Sequence, residues 1–155
     1  MKIKKICFAA SSGGHLQEIA RLKALTEKYE CFLFTEKDKF MSDDFCDKKY
    51  YIRKIDRRMH GFIFLYIWAY LVSFYVFLRE RPDCIISTGA LVTYPMCLIG
   101  KLMRKKIIYI ESMARVESLS MTGRYMKKIA DLYIVQWEEL LKLVPGAVYG
   151  ESIFE

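Results

Sequence analysis

Residues 61–78 read GFIFLYIWAYLVSFYVFL, eighteen positions without a charge. Basic residues flank the run, with Arg53, Lys54, Arg57 and Arg58 before it and Arg79 and Arg81 after it. Such a segment has three available states: a helix that spans a membrane, a helix buried in a core, or a helix lying at a bilayer surface. Its neighbours weigh among them. Strand-like runs sit on either side, at residues 50–55 and 83–88. A spanning helix there would put two halves of one sheet on opposite sides of a membrane, and eighteen residues is the lower limit for spanning. Complete burial would have to satisfy the polar tips of Tyr66, Trp68, Tyr70 and Tyr75. The preferred reading is a crossover helix with one face on the sheet and the other dipped into a bilayer. Arg57 and Arg58 then meet headgroups, while Phe62, Phe64, Tyr66, Trp68, Tyr70, Phe74, Tyr75 and Phe77 supply the apolar and boundary contacts.

The rest of the chain alternates in the same manner. Apolar runs of strand length are expected at residues 3–10, 31–35, 50–55, 83–88, 106–111 and 132–136, with a last short one at 147–150. Helices are expected at 16–28, 61–78, 89–104, 120–130 and 138–143, and an irregular stretch at 38–49. Pro95 is tolerated in a first helical turn, and Ser120 or Thr122 is a candidate cap. Several strands are apolar on both faces. That pattern predicts an α/β fold, a doubly wound parallel sheet of Rossmann-like type, in one domain over residues 1–155. Ligands bind such sheets at the carboxyl ends of the strands. Four of those ends carry candidate residues: 11–15, Thr35-Glu36, Ser87-Thr88-Gly89 and Glu111-Ser112.

The first of these, Ser11-Ser12-Gly13-Gly14-His15, closes a strand and opens a helix. Glycines permit the sharp turn and leave backbone amides uncovered, which suits an anion or a polar sugar group. A histidine at its lip has the chemistry to take a proton from a hydroxyl near neutral pH. The other reading is a plain glycine turn that binds nothing. The net charge of +7 points to an anionic partner such as a membrane surface, a phosphorylated ligand or nucleic acid. The basic residues gather around an apolar helix and not among spaced stacking aromatics, which argues against nucleic acid. Five cysteines without a C-x-x-C pair, three of them in strand-like runs, read as core thiols of a reducing compartment. With two histidines, His15 and His60, no metal site is expected. No signal peptide is expected at the N-terminus.

Four ordered blocks carry a resemblance. SSGGHLQE, STGALVTYP, YIESMARVESLSMTGRYMKKIAD and VQWEELLKLVPGAVYG together resemble the bacterial capsule and exopolysaccharide subunits described as glycosyltransferase enhancers. These are relatives of the membrane-anchoring subunit of the eukaryotic dolichol-linked UDP-GlcNAc transferase. The group is similar to the N-terminal half of a GT-B glycosyltransferase of family 28. The resemblance implies a non-donor subunit of a two-chain transferase at the cytoplasmic face of the cell membrane, peripheral or monotopic. It would help form the site for a lipid-linked, undecaprenyl-diphosphate acceptor. The UDP-sugar donor would bind a partner chain equivalent to the C-terminal GT-B half, with no cofactor bound here and little activity alone. Residues 147–154 would be a tail for docking on that partner.

By position, the resemblance makes His15 the group that orients or deprotonates the acceptor hydroxyl, with Ser12, Gly13 and Gly14 around it. The alternative is a His15 that only packs the turn. Thr88 and Gly89 match a second turn for phosphate or sugar, although it is less glycine-rich than in single-chain relatives. Glu111 and Ser112 match an acidic block in which Ile110 replaces the relatives' histidine. Glu111 then either accepts hydrogen bonds from acceptor hydroxyls or caps the next segment, and Arg115 pairs with Glu111 or with a phosphate. A scaffold that merely recruits a self-sufficient transferase is the competing function. A nucleotide-binding module is the third.

Overall fold

The computed structural model describes residues 3–37 and 44–150. Among them, seven strands form one all-parallel sheet in the order β3-β2-β1-β4-β5-β6-β7. The strands are β1 (Lys5–Ala10), β2 (Glu30–Glu36), β3 (Lys48–Ile52), β4 (Cys84–Ser87), β5 (Lys106–Ile110), β6 (Leu132–Val135) and β7 (Val148–Tyr149). The helices are α1 (Gly14–Ala20), α2 (Phe62–Glu80), α3 (Tyr94–Leu102) and α4 (Met121–Met126), with short 3₁₀ segments beside them. The doubly wound, Rossmann-like reading therefore holds. Residues 38–43 of the expected irregular stretch, and 151–154 of the expected docking tail, lie outside the described residues.

Alternation along each strand builds two cores. In β1, Cys7 and Ala9 face one side with α2, α3 and α4. Ile6, Phe8 and Ala10 face the other, against Leu16 and Ile19 of α1. Both faces being covered is what makes the central strands continuous apolar runs. All five cysteines carry free thiols; Cys46 and Cys97 are buried with Cys7 and Cys84, while Cys31 is half-buried.

Three expected helices are shorter than their patterns, the one at 120–130 spanning only Met121–Met126, and the one at 138–143 is a 3₁₀ helix, Glu138–Lys142. Beyond Ala20 the chain tightens into a 3₁₀ helix, Arg21–Glu27. Three residues per turn stack Leu22 over Leu25, and both pack on the second core. The helix after β4 starts late because Gly89 and Ala90 hold φ values of 117° and 79°. A 3₁₀ turn, Leu91–Thr93, follows before α3 begins, with Pro95 in its first turn. Ser120 caps α4 by accepting from the Gly123 N–H.

Helix α2 crosses from β3 back to β4, and its nineteen residues are about 28 Å long. Length and composition alone would allow it to cross a membrane, but 22% of its apolar window is buried inside the protein. Ala69, Ser73, Val76, Phe77 and Glu80 form the inner stripe. Phe77 is thus a core residue, not a membrane contact: it shares the inner stripe with Ala69, Ser73 and Val76. Phe64, Trp68, Phe74 and Tyr75 are exposed as expected, together with Ile63, Ile67, Leu71 and Leu78. Arg57 and Arg58 are exposed beside the helix start. Phe62, Tyr66 and Tyr70 are half-buried between the two faces.

Candidate functional site

Strand order reverses between β1 and β4: the first two crossovers build the sheet one way, through β2 to β3, and the chain then returns past β1 and builds it the other way from β4 to β7. In sheets of this kind a ligand crevice lies at that switch point, outside the carboxyl ends of the strands. Two turns border it, one after β1 and one after β4. Gly13, at φ 81° and ψ −137°, makes the first turn possible and opens α1. Thr88 Oγ1 donates to the His15 carbonyl at 2.8 Å and ties the second turn to the first.

His15 and Gly89 meet across the crevice. A Cβ placed on Gly89 would lie 3.2 Å from His15 Cε1 and 3.1 Å from the Tyr109 hydroxyl. The imidazole therefore rests on a backbone that only glycine leaves open, at a positive φ that also favours glycine. Nδ1 is buried, and 3.7 Å away lies Glu18 Oε2, also buried; neither atom has a hydrogen-bond partner among the described residues. The side chain of His15 is 29% exposed, which leaves Nε2 as the nitrogen for an outside group.

Glu18 is held from the opposite side of the crevice. Its Oε1 accepts from Ser112 Oγ at 2.9 Å and from the Met113 N–H at 3.0 Å. This carboxylate links α1 to the loop after β5, and it lies one helical turn beyond His15. The sequence signal was the His-x-x-Glu spacing inside SSGGHLQE, which places both side chains on one helix face. Glu18 was not singled out there. Ser112 thereby positions Glu18, and Thr88 positions the His15 backbone.

Ser12 serves a second buried carboxylate. Its polar groups and the Ile55 backbone lie beside Glu36 at the end of β2 and favour the charged carboxylate. Burial pushes the Glu36 carboxyl up despite these polar neighbours and the nearby Lys54 charge. Gly14 is exposed, with open space around its Cα.

Glu111 is fully enclosed. Oε2 accepts from the Tyr133 hydroxyl at 2.7 Å and the Ser120 N–H at 3.3 Å, and Oε1 accepts from the Ser112 N–H at 3.1 Å. A Cβ on Gly123 would come within 1.9 Å of Oε2. These contacts make Glu111 a fastener between β5, β6 and the start of α4, the capping role and not a contact with the crevice. Burial and the Glu111 charge push the Tyr109 and Tyr133 phenols well up. Gln136 Nε2 donates to the Glu111 carbonyl and Trp137 Nε1 to the Met113 carbonyl, so the VQW block clamps the same loop. Arg115 is exposed on that loop and is not among the partners of Glu111. Among the described residues, no three His, Cys, Asp or Glu side chains gather as metal ligands would.

Sheet order and two covered faces define a Rossmann-like, doubly wound α/β fold. The chain is similar to MurG of Acinetobacter baumannii over 96% of its length, with a TM-score of 0.72 at 14% identity. It is similar to S. aureus MnaA, solved with UDP, over 97%, with a TM-score of 0.73 at 15% identity. At such identities the likeness is one of fold, and this chain spans 44% of each of those two chains.

Residues 6–153 match the family described as "Oligosaccharide biosynthesis protein Alg14 like". A human protein named "UDP-N-acetylglucosamine transferase subunit ALG14" is 32% identical over 173 residues, covering 93% of this chain and 80% of that protein. The mouse protein of the same name is 30% identical, covering 94% and 81%. The chain belongs to the Alg14-like family.

Proposed function

We propose that this chain is the acceptor-side subunit of a two-chain, UDP-sugar-dependent hexosyltransferase. Residues 1–155 act as one acceptor and membrane domain. The donor binds a partner chain equivalent to the C-terminal half of a GT-B enzyme. The acceptor is a lipid-linked sugar, an undecaprenyl-diphosphate glycan of capsule or exopolysaccharide assembly. The exposed face of α2 holds the complex at the cytoplasmic face of the membrane. The relatives' names carry the word "subunit" and make N-acetylglucosamine the first donor sugar to test.

The observation that carries this reading is the His15–Glu18 pair at the switch point. A base needs a nitrogen facing substrate and a partner that steadies the charge it acquires. His15 Nε2 meets the first need and Glu18 the second, since the 3.7 Å gap from Nδ1 closes readily to a hydrogen bond. In the reaction, the acceptor hydroxyl gives its proton to Nε2 as its oxygen bonds to the anomeric carbon of the donor sugar. The bond from that carbon to the UDP oxygen breaks, and UDP leaves with its electron pair. Glu18 stabilises the imidazolium until the proton returns to solvent. The charge growing on UDP is met by the partner.

The test is His15→Ala in membranes that contain the partner. Transfer from UDP-sugar to lipid carrier is expected to fall about 100-fold or more, with the complex still assembled. Full transfer by the variant would contradict this role and leave a membrane scaffold.

A further inference from the structure

A groove of about 390 Å³ lies between α2, the turn before α3, and α4. One wall is an aromatic ladder on α2: Phe62 stacks on Tyr66 at 5.5 Å, and Tyr66 meets Tyr70 edge-on at 5.4 Å. Tyr94 and Tyr125, 5.8 Å apart, form the opposite wall. The edge-on packing of Tyr66 against Tyr70 turns aromatic surface toward this space. Arg57 stands at one end, its guanidinium against the thioether of Met121. Leu91, at the floor, is two residues past the Gly89 on which the His15 ring rests.

We propose that this groove seats the phosphate-proximal end of the acceptor's hydrocarbon chain, with Arg57 pairing with the phosphate. The inference rests on the lipid-linked acceptor proposed above and assigns it a binding place. Three features favour that occupant. The ladder Phe62-Tyr66-Tyr70 adjoins the exposed row Ile63-Ile67-Leu71 one residue on, so a chain can pass from a bilayer into the groove without crossing water. The volume falls in the range of ligand pockets, which suits a short segment of chain and not a whole lipid. Arg57, with exposed Arg53, Lys54 and Arg58 nearby, offers a planar donor fork and local positive charge for phosphate. Leu91 links this lining to the Gly89 turn on which His15 rests, so the groove and the crevice share a wall. A bulk phospholipid in the same groove would put its own headgroup there and obstruct the crevice.

The probe is farnesyl phosphate, titrated into the full chain by calorimetry, with farnesol and phosphatidylglycerol as comparisons. The wild type is expected to bind farnesyl phosphate more tightly than farnesol, and phosphatidylglycerol to compete poorly. Tyr125→Ala and the groove-filling Leu91→Trp each weaken binding about tenfold or more. Arg57→Gln removes the preference for the phosphate. Tyr125 and Arg57 are exposed enough for their variants to keep the fold, which circular dichroism checks. Wild-type affinity in Tyr125→Ala and Arg57→Gln, equal binding of farnesol, or equal competition by phosphatidylglycerol would each overturn the assignment. His15→Ala is expected to bind farnesyl phosphate normally. Loss of transfer in His15→Ala with normal binding by the groove variants would sink the groove alone. Groove binding as predicted with full transfer by His15→Ala would sink the base alone.

Discussion

His15 depends directly on two parts of the chain, the turn at Thr88-Gly89 and Glu18 of its own helix. Gly89 gives its ring room, Thr88 holds its backbone, and Glu18 faces its inner nitrogen. Glu18 is in turn fixed by Ser112 and Met113 across the crevice. Glu18→Gln separates steadying from structure. The amide oxygen can still accept from Ser112 and Met113, so the fold is retained, but it carries no charge to oppose an imidazolium. Transfer by the two-chain enzyme is expected to drop about tenfold in kcat with KM for acceptor nearly unchanged. A KM effect alone would make Glu18 a binding or packing group. Glu18 and Glu111 are both buried glutamates, but the Glu111 carboxylate is held by Tyr133, Ser120 and Ser112, whereas Glu18 keeps one oxygen without a partner among the described residues.

Helix α2 shows two opposed faces. Its inner stripe enters the main core, while Ile63, Phe64, Leu71 and Tyr75 are each at least 60% exposed. A contiguous exposed apolar face of this kind marks a surface meant for something other than water. Phe64→Glu with Leu71→Glu is expected to leave the melting temperature within a few degrees of wild type and to abolish flotation with phosphatidylglycerol vesicles. Unchanged flotation would remove α2 from the membrane contact. The far end of the helix is anchored by Glu80, which bonds to Tyr50 of β3, Lys48 and Lys5. Burial works against the Glu80 charge, but these bonds outweigh it and hold the carboxyl at about 2, below its ordinary 4.5. A depressed carboxyl stabilises the fold above its unfolded value and loses that effect as pH falls through the folded one. Wild type should therefore exceed Glu80→Gln by roughly 3 kcal/mol at neutral pH, and the gap should close between about pH 4.5 and pH 2. Urea unfolding across that range reads it; a gap independent of pH would assign the difference to packing.

Across the whole molecule, parallel crossovers bring short separate motifs to one sheet edge. That edge was legible in the sequence, because strands apolar on both faces require helices on both sides, and turns with Gly, Ser and Thr mark the strand ends. The sheet and the convergence of residues 11–15, 36, 87–89 and 111–112 follow from that pattern. Other features were not legible. Positive φ at Ala90 delays α3, and no side chain there announces it. The inward turn of Phe77 is a matter of helix phase, which a run apolar on all sides conceals. The partnership of Glu18 with Ser112 spans 94 residues, and its Oε2 acquires meaning only beside His15. The aromatic groove joins α2 to α3 and α4, so its lining residues are scattered over residues 57–125.

The proposed enzyme is a transferase whose acceptor side is this chain and whose donor side is another. The measurement that tests it most directly is sugar transfer from radiolabelled UDP-N-acetylglucosamine to membrane lipid carrier, with this chain, the donor-half candidate, and both together. Transfer is expected with both chains together and little with either one. Equal transfer by the donor half without this chain would contradict it.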